Sequence, residues 1–365
     1  MQNRLGDLAK KIKEKNLDGF IVTNPVNIFY LCGFRGISPQ EREAILVFSP
    51  NATLITAKLY QAEALKLRTK DLKIAVADER NKISDLVAKI LKGIKSIGFE
   101  ESDLKYWEYR HFTKLLKGIK LLPLNNLIED MRVVKAENEL KKIERAQIIS
   151  QKAFFEIAKT LKVGQTEAEI AEKLLKIIKN LGGQSLAFES IIASGKNAAI
   201  PHHITGHKKI KSGEVLLFDF GAKYKDYCAD LSRTVLVGKV SDDIRNIYSL
   251  VQKAQKEAIE KIASGIKSHK PHEHAAGIFR RENLQHYFLH SLGHGIGLEV
   301  HESPHLRPLS KGKKPTPDTL AEGMVFSVEP GLYFPWGGIR IEDLVVIKNS
   351  KAKILGNSKS ELIQI

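Results

Sequence analysis

The chain has few cysteines and no long run of apolar residues. Cys32 and Cys228 are the only cysteines among 365 residues, which excludes a disulfide framework and indicates a reducing compartment. No apolar run approaches the roughly 20 residues that cross a bilayer. The charged N-terminus also lacks the apolar core of a signal peptide. We therefore expect a cytoplasmic protein with no membrane partner.

The sequence also lacks the motifs of common covalent hydrolases and of dinucleotide enzymes. It contains no G-x-S-x-G turn, and neither cysteine has a histidine close by in sequence. The string GHGIG (293–297) lacks the G-x-G-x-x-G spacing and the strand-to-helix context of a dinucleotide site. These absences weigh against a serine or cysteine hydrolase and against a dinucleotide-binding protein.

The charge balance is strongly basic, because 58 lysines and arginines against 42 aspartates and glutamates give a net charge of +16. The excess is divided evenly. Residues 1–125 hold 22 basic against 14 acidic residues, and residues 126–365 hold 36 against 28. Because no basic arm or aromatic-interleaved patch stands out, we interpret the lysines as a solvated surface and expect no nucleic-acid partner.

The length of the chain predicts two domains. Residues 1–125 alternate helical patterns with short apolar strands such as GFIVTN (19–24), which is typical of an α/β domain. The stretch LLPLNNLIEDMRVVK (121–135) breaks this periodicity and is the expected join. Residues 126–365 begin with helical patterns and continue as short strands and glycine-rich turns. The predicted class is α/β (α+β), with domains at 1–125 and 126–365.

Eleven of the twelve histidines lie after residue 200, so the chemistry is expected in the second domain. His290, His294 and His301 lie within LHSLGHGIGLEVHE (289–302), which is too rich in glycine for a good helix. Buried imidazoles ligate a metal, transfer protons or hold a substrate, and this stretch alone does not choose among these. We interpret a second group, SHKPHEH (268–274), as an exposed loop rather than a metal site.

Four acidic residues of the second domain end or interrupt apolar strands. Asp219 follows VLLF, and Asp230 lies eleven residues further on beyond a turn, so a hairpin can bring them side by side. Glu329 ends one apolar strand and Glu342 interrupts another, IRIEDLVVI. Each residue alone can be a cap or an edge-strand side chain facing water, but an unpaired buried carboxylate costs several kcal/mol. With one histidine they make an oxygen-rich ligand set for two divalent ions such as Mn²⁺, Co²⁺, Fe²⁺ or Zn²⁺.

Four motifs in a fixed order resemble those of the pita-bread metallopeptidases, which include aminopeptidase P, prolidase and methionine aminopeptidase. They are FDFGA…CADLSRT, LGHGIGLEVHE, SVEPGLY and GIRIEDLVV. The resemblance implies a pita-bread catalytic domain over residues 126–365, and VTNPVNIFYLCGF (22–34) is similar to the creatinase-type N-terminal domain of the proline-directed members. It also implies two metal ions, with Mn²⁺ expected and Co²⁺, Zn²⁺ or Fe²⁺ as alternatives. The implied metal ligands are Asp219, Asp230, His294, Glu329 and Glu342.

The resemblance further implies roles in catalysis and substrate binding. His202, in AAIPHH, matches the family's histidine near the scissile peptide, and His301 matches the histidine that contacts the substrate carbonyl or the tetrahedral intermediate. His290 would line the pocket for the residue after the cut. Arg340 and Tyr333 would support the metal carboxylates and belong, with the three histidines, to the expected substrate-binding residues. Among the ligands, Glu329 in SVEPGLY would also be catalytic, because it would take up the proton of the nucleophilic water.

The expected function is that of a Xaa-Pro aminopeptidase, acting on peptides with proline in the second position. The alternative is a Xaa-Pro dipeptidase (prolidase), which shares the metal ligands but must recognise a free C-terminal carboxylate. A methionine aminopeptidase does not need a first domain of this kind. Relatives of the fold that work without metal, such as creatinase, have lost ligands that are all present here. A homodimer is the expected assembly.

Overall fold

The structure of the chain is a computed structural model that describes residues 3–35, 41–309, 319–357 and 362–365. It forms two compact units, Met1–Met131 and Arg132–Ile365. No helix in the described part of the chain is long and apolar enough to cross a membrane.

The first unit is built on one mixed six-stranded sheet with the strand order β4-β3-β2-β1-β5-β6. Its strands are β1 (Gly19–Val22), β2 (Ala44–Phe48), β3 (Ala52–Ala57), β4 (Leu72–Ala77), β5 (Ser96–Glu100) and β6 (Lys120–Leu124). Its helices are α1 (Arg4–Glu14), α2 (Pro25–Cys32), α3 (Gln61–Leu65), α4 (Ile83–Ile90) and α5 (Tyr106–Leu115), with a 3₁₀ turn at Lys58–Tyr60 and a short α6 (Glu129–Arg132) at the division. This arrangement confirms the predicted α/β character of the first part.

Two elements of the first unit, helix α2 and strand β6, have only a weak periodic pattern in the sequence. Helix α2 is only eight residues long, and Asn24 caps it by accepting hydrogen bonds from the backbone N–H groups of Val26 and Asn27 at 2.8 and 3.2 Å. Strand β6 contains Pro123 within the expected join. Because β6 is an edge strand, the missing N–H of proline is tolerated there.

In its described residues, the second unit combines two larger sheets with four long helices. Its helices are α7 (Glu137–Ala158), α8 (Glu167–Asn180), α9 (Asp242–Lys261) and α10 (Lys270–Arg281), with 3₁₀ turns at Gly195–Ala199 and Gln285–Tyr287. Its strands are β7 (Ser185–Leu186), β8 (Ile191–Ser194), β9 (Val215–Phe220), β10 (Ala222–Tyr224), β11 (Tyr227–Cys228), β12 (Leu231–Leu236), β13 (Gly293–Gly295), β14 (Glu302–Leu306), β15 (Val325–Val328), β16 (Gly331–Phe334), β17 (Gly337–Arg340), β18 (Asp343–Lys348), β19 (Lys351–Ile354) and β20 (Ile363–Gln364).

Helices pack against both larger sheets of this unit, and α9 and α10 contact both of them. The sheet of order β20-β12-β9-β8 packs against α7 and α8 through residues such as Phe154 and Phe218, whose ring centroids lie 5.6 Å apart. The sheet of order β14-β13-β15-β18-β19 packs against α9 and α10 through residues such as Ala258 and Phe326. The apolar faces of the helices and strands are therefore buried against each other, which leaves polar strand ends free to form a site.

Residues 268–274 are not the exposed loop that the sequence predicts. They lead into helix α10, whose first turn contains Pro271, where the missing proline N–H is not needed. His269 and His272 are buried. The His272 ring stacks on Phe288 at a centroid distance of 5.0 Å, and burial lowers its pKa to about 4. The prediction was wrong because the buried face of α10 begins within a string of polar residues.

Candidate metal centre

Asp219 and Asp230 are supplied by the antiparallel pair β9–β12. Asp219 lies opposite Ser232, and Asp230 precedes Ser232 by two residues, so the three side chains share one face of the sheet. Gly221 ends the β9 side of the pair, and a Cβ atom there would overlap the Ala229 carbonyl. With the β10–β11 pair at its tip, the β9–β12 pair forms the hairpin that the sequence predicts for these aspartates.

Glu329 and Glu342 are supplied by the pair β15–β18. The last residue of β15 pairs with the first residue of β18, so the two glutamates, one residue further out, lie at the same end of the pair. His294 lies on β13, which pairs with the other edge of β15. Its backbone N–H donates to Ser327 Oγ at 3.0 Å, and Ser327 Oγ donates to Glu329 Oε1 at 3.0 Å. Ser327 thus ties the histidine strand to a carboxylate of the centre.

The side chains from these two strand pairs converge. One ligand atom from each of Asp230, His294 and Glu342 lies within 4.8 Å of the others. His294 Nε2 lies 3.3 Å from Glu329 Oε1 and 3.6 Å from Asp230 Oδ2. Asp219 is close enough for its charge to raise the pKa values of the other three carboxyl groups. The structure therefore brings the five predicted ligand residues to one place.

Three carboxyl groups of this cluster have raised pKa values, and two of their oxygens have no hydrogen-bond partner. Burial, followed by the neighbouring carboxylates, raises the pKa values of Asp230 and Glu342 well above their ordinary range. Burial also raises the pKa of Glu329 to about 7, and Asp219 acts in the same direction. Asp230 Oδ1 and Glu342 Oε1 are buried without a hydrogen-bond partner. Buried oxygens without donors, next to one imidazole, fit divalent cations, which would neutralise the charge and occupy the open oxygens.

Arg340 holds one side of the cluster from a buried position. Its Nη2 donates to Asp219 Oδ2 at 2.6 Å, and its Nη1 donates to the Tyr333 hydroxyl at 2.6 Å. Its Nε donates to Ser232 Oγ at 2.8 Å, and Ser232 in turn donates to Glu342 Oε2 at 2.9 Å. One guanidinium therefore orients two carboxylates, one directly and one through a serine.

The same network determines the state of His290. The Tyr333 hydroxyl accepts from Arg340 and donates to His290 Nε2 at 2.8 Å, while His290 Nδ1 donates to the Ser291 carbonyl at 2.8 Å. Burial, with the Arg340 charge, lowers the pKa of His290 to about 3, so the ring is neutral. Because both nitrogens bond within the protein, His290 can offer a pocket its ring edge but no free N–H.

His301 and His202, the other two histidines predicted to face substrate, are exposed. The His301 ring packs on His294 at a centroid distance of 4.2 Å, and the partial loss of water around this ring, with the neighbouring histidines, lowers its pKa to about 4. His202 lies in the turn that follows the 3₁₀ helix Gly195–Ala199. It is close enough to His301 to contribute to the low pKa of that histidine. His305 was missed by sequence reasoning, although it lies directly opposite His294 in the β13–β14 pair and shares its face.

The comparison with protein families agrees with this geometry. Residues 141–349 match metallopeptidase family M24, and residues 4–134 match the creatinase/prolidase N-terminal domain. The chain belongs to metallopeptidase family M24. This membership confirms the resemblance carried by the four motifs, and with it the creatinase-type first domain and the pita-bread catalytic domain.

Individual family members are similar over their whole length. A Xaa-Pro dipeptidase of Pyrococcus furiosus is 34% identical over 364 residues, which is 100% of each chain. The solved structure of a Xaa-Pro dipeptidase from Bacillus anthracis is 32% identical, with a TM-score of 0.92 and 99% of each chain covered. That of an X-Pro aminopeptidase from Thermotoga maritima is 31% identical, with a TM-score of 0.86 over 98% of this chain and 100% of that one.

Two serines of the centre were also missed by sequence reasoning. Ser232 lies two residues after Asp230, and Ser327 lies two residues before Glu329. Side chains two residues apart on a strand point to the same face, so this spacing could have indicated polar partners for the ligands. The signal is weak, because serine at such a spacing is common in strands that hold no site.

Proposed function

We propose that this chain is a metal-dependent exopeptidase that hydrolyses Xaa-Pro dipeptides. The observation that carries the proposal is the convergence of four carboxylates and one histidine, with two buried oxygens left without donors. An Xaa-Pro aminopeptidase is the first expectation from the sequence, but the motifs are shared by both activities and do not separate them. Full-length similarity to relatives named Xaa-Pro dipeptidase favours the alternative reading, and we adopt it as the first candidate.

We infer that the centre holds two divalent ions, with Mn²⁺ first and Co²⁺, Zn²⁺ or Fe²⁺ as alternatives. When bound, such ions would polarise the scissile carbonyl and make a water nucleophilic at neutral pH. Oxygen-rich coordination with a single imidazole supports this choice of hard or borderline ions. The ligands would be Asp219, Asp230, His294, Glu329 and Glu342.

The side chains around the ligands have separate proposed tasks. Glu329, held by the Ser327 hydroxyl, would accept the proton of the attacking water. His301 and His202 would donate hydrogen bonds to the carbonyl oxygen as it gains negative charge. The apolar ring edge of His290 would line the pocket for the proline ring. Tyr333 and Arg340 would hold the His290 ring in place.

The second candidate function is that of an Xaa-Pro aminopeptidase. It is favoured by the similarity to the Thermotoga maritima X-Pro aminopeptidase structure. The two functions are separated by measuring kcat/KM on an Xaa-Pro dipeptide and on the corresponding Xaa-Pro-Xaa tripeptide, with and without added Mn²⁺. We expect the dipeptide to be preferred. A clear preference for the tripeptide would establish the second candidate, and no hydrolysis of either by the Mn²⁺-loaded protein would contradict both.

We further propose that the protein is a cytoplasmic homodimer with no nucleic-acid partner. The functional division would lie between residues 1–125 and 126–365. Sedimentation of the purified protein tests the dimer, because a dimer of 40.9 kDa chains sediments well apart from the monomer. A monomer at micromolar concentration would contradict it.

A further inference from the structure

The two exposed histidines of the site share a local feature. His202 is followed by His203, whose side chain is 13% exposed, and His301 is followed by Glu302, whose side chain is 6% exposed. Each pair sits on one short backbone segment, with the first side chain directed outward and the second directed inward. The contacts of the inward residue therefore determine where the outward histidine lies.

Glu302 is held by a buried group of charges. It accepts hydrogen bonds from Arg132 Nη2, from Lys135 Nζ at 3.2 Å and from the Glu299 backbone N–H at 3.1 Å. Arg132 Nη2 also donates to Glu299 Oε2 at 2.8 Å. A Cβ atom at Gly297 would lie 2.7 and 2.8 Å from the two Glu302 carboxylate oxygens, so only glycine leaves room for them. The Arg132 guanidinium thus contacts two side chains of the loop that carries His301, those of Glu299 and Glu302.

Glu167 performs the same task beside His202. This fully buried first residue of α8 accepts from His203 Nε2 at 3.0 Å and from the Ser194 backbone N–H and hydroxyl, both at 2.8 Å. It also accepts from Asn197 Nδ2 at 2.9 Å. Ser194 and Asn197 precede His202 in the chain and His203 follows it, so one carboxylate holds both sides of the segment that carries this histidine.

We propose that Arg132 with Glu302 positions His301, and that Glu167 with His203 positions His202, for reaction at the metal centre. These four are positioning residues, because they act through the two histidines and not on the substrate. A buried ion pair such as Arg132–Glu302 contributes little stability compared with apolar packing of similar volume, which favours a geometric role for it here. The inference rests on the proposed roles of His202 and His301.

Two conservative variants test it, because each leaves the buried carboxylate with other donors. Arg132→Lys keeps the charge but loses the planar fork that reaches Glu299 and Glu302 together. His203→Ala removes one donor of Glu167 and leaves the others. With the Mn²⁺-loaded enzyme we expect each variant to lower kcat about tenfold, because small misplacements of a catalytic group are costly, with KM within about twofold. Metal content should equal that of the wild type, and loss of metal would overturn the proposal.

A crossed set of double variants separates positioning from general destabilisation. Arg132→Lys should have no further effect on kcat in the His301→Ala background but its full effect in the His202→Ala background. His203→Ala should show the reverse. Equal factors in both backgrounds would overturn the proposal. Arg42→Lys is the matched control in the first unit, where Arg42 Nε lies 2.8 Å from Glu108 Oε1, and it should leave kcat unchanged.

A second measurement does not depend on the substrate. In NMR spectra of the folded protein, Arg132→Lys should shift the ring signals of His301 and leave those of His202, and His203→Ala should do the opposite. If no Xaa-Pro peptide were hydrolysed, the proposed function would fail while these shifts still tested the positioning. Unmoved ring signals would overturn the inference. So would a His301→Ala variant with unchanged kcat, since positioning that histidine would then have no consequence.

Discussion

Both units bury carboxyl groups with raised pKa values, but the two units differ in the hydrogen-bond partners that they give to the carboxyl oxygens. In the first unit Glu100 ends β5, and burial raises its pKa to about 7. Its Oε2 accepts from the backbone N–H groups of Thr23 and Asn24 at 2.6 and 2.7 Å, and its Oε1 accepts from Asn27 Nδ2 at 2.7 Å. These donors lie at the beginning of α2, so Glu100 joins that helix to the sheet.

In the second unit Asp230 and Glu342 are equally buried, yet each keeps one oxygen without a donor. Their neighbours are other carboxylates, which add to the cost of ionising them. The structural carboxylate is thus satisfied within the chain, whereas these two carboxylates of the candidate metal centre are not. This difference distinguishes the candidate metal centre from a buried acidic residue that only stabilises the fold.

The largest expected effect follows from removing one side of this comparison. Asp230→Asn should lose metal and lower kcat about 10³-fold or more, because members of one catalytic unit are individually indispensable. Glu100→Gln should keep the metal content and kcat of the wild type. Chelation should abolish wild-type hydrolysis, and Mn²⁺ or Co²⁺ should restore it. Metal analysis and kinetics on the same preparations decide the matter, and full activity of a metal-free preparation would contradict the assignment.

The next largest effect separates ligand from substrate histidine. His294→Ala removes a predicted ligand and should lose metal and activity together. His301→Ala should keep the metal and lower kcat on the order of 10²–10³-fold, as expected for one lost donor to a developing oxyanion. Metal content and kinetics are measured on both variants side by side. If His301→Ala emptied the site while His294→Ala kept its metal, the two roles would be reversed.

A smaller effect concerns stability against pH. The native pKa of Glu100 is about 7 against an ordinary value of 4.5, so between these values the native state holds a proton that the unfolded state releases. Stability from this group therefore falls as pH rises from 4.5 to 7, by about 3 kcal/mol. Urea unfolding of metal-free wild type and Glu100→Gln at pH 4.5 and 8 measures it. An equal pH dependence of both proteins would show that Glu100 is ionised in the fold.

The last prediction is that the protein shows no specific binding to nucleic acid. The net charge of +16 is spread evenly along the chain, so we expect no specific affinity for nucleic acid. Titration with labelled duplex DNA at physiological salt should show no sub-micromolar binding, and Glu100→Gln and Asp230→Asn should behave like the wild type. Tight binding that weakens steeply with added salt would contradict this prediction.

Several features of the site could be predicted because their signals are local. An aspartate that ends VLLF and a glutamate that interrupts IRIEDLVVI are visible as charges in apolar strands, and the motif order identifies the family. The start of α10 could not be predicted, because the buried histidines of its first turn resemble a polar loop in composition. The occupied nitrogens of His290 could not be predicted either, since its partner Tyr333 lies 43 residues away.

The sequence by itself determined the family and the mixed α/β fold class, and it predicted the candidate ligands and their order, because residue type, strand alternation and turns act over a few residues. The tertiary structure decided which polar residues complete the site. Ser232 reaches Glu342 across 110 residues, and Arg132 reaches Glu302 across 170. Such pairings depend on the register between strands and on burial, which only the folded chain establishes, because the free energy of a buried charge is set by the groups that surround it.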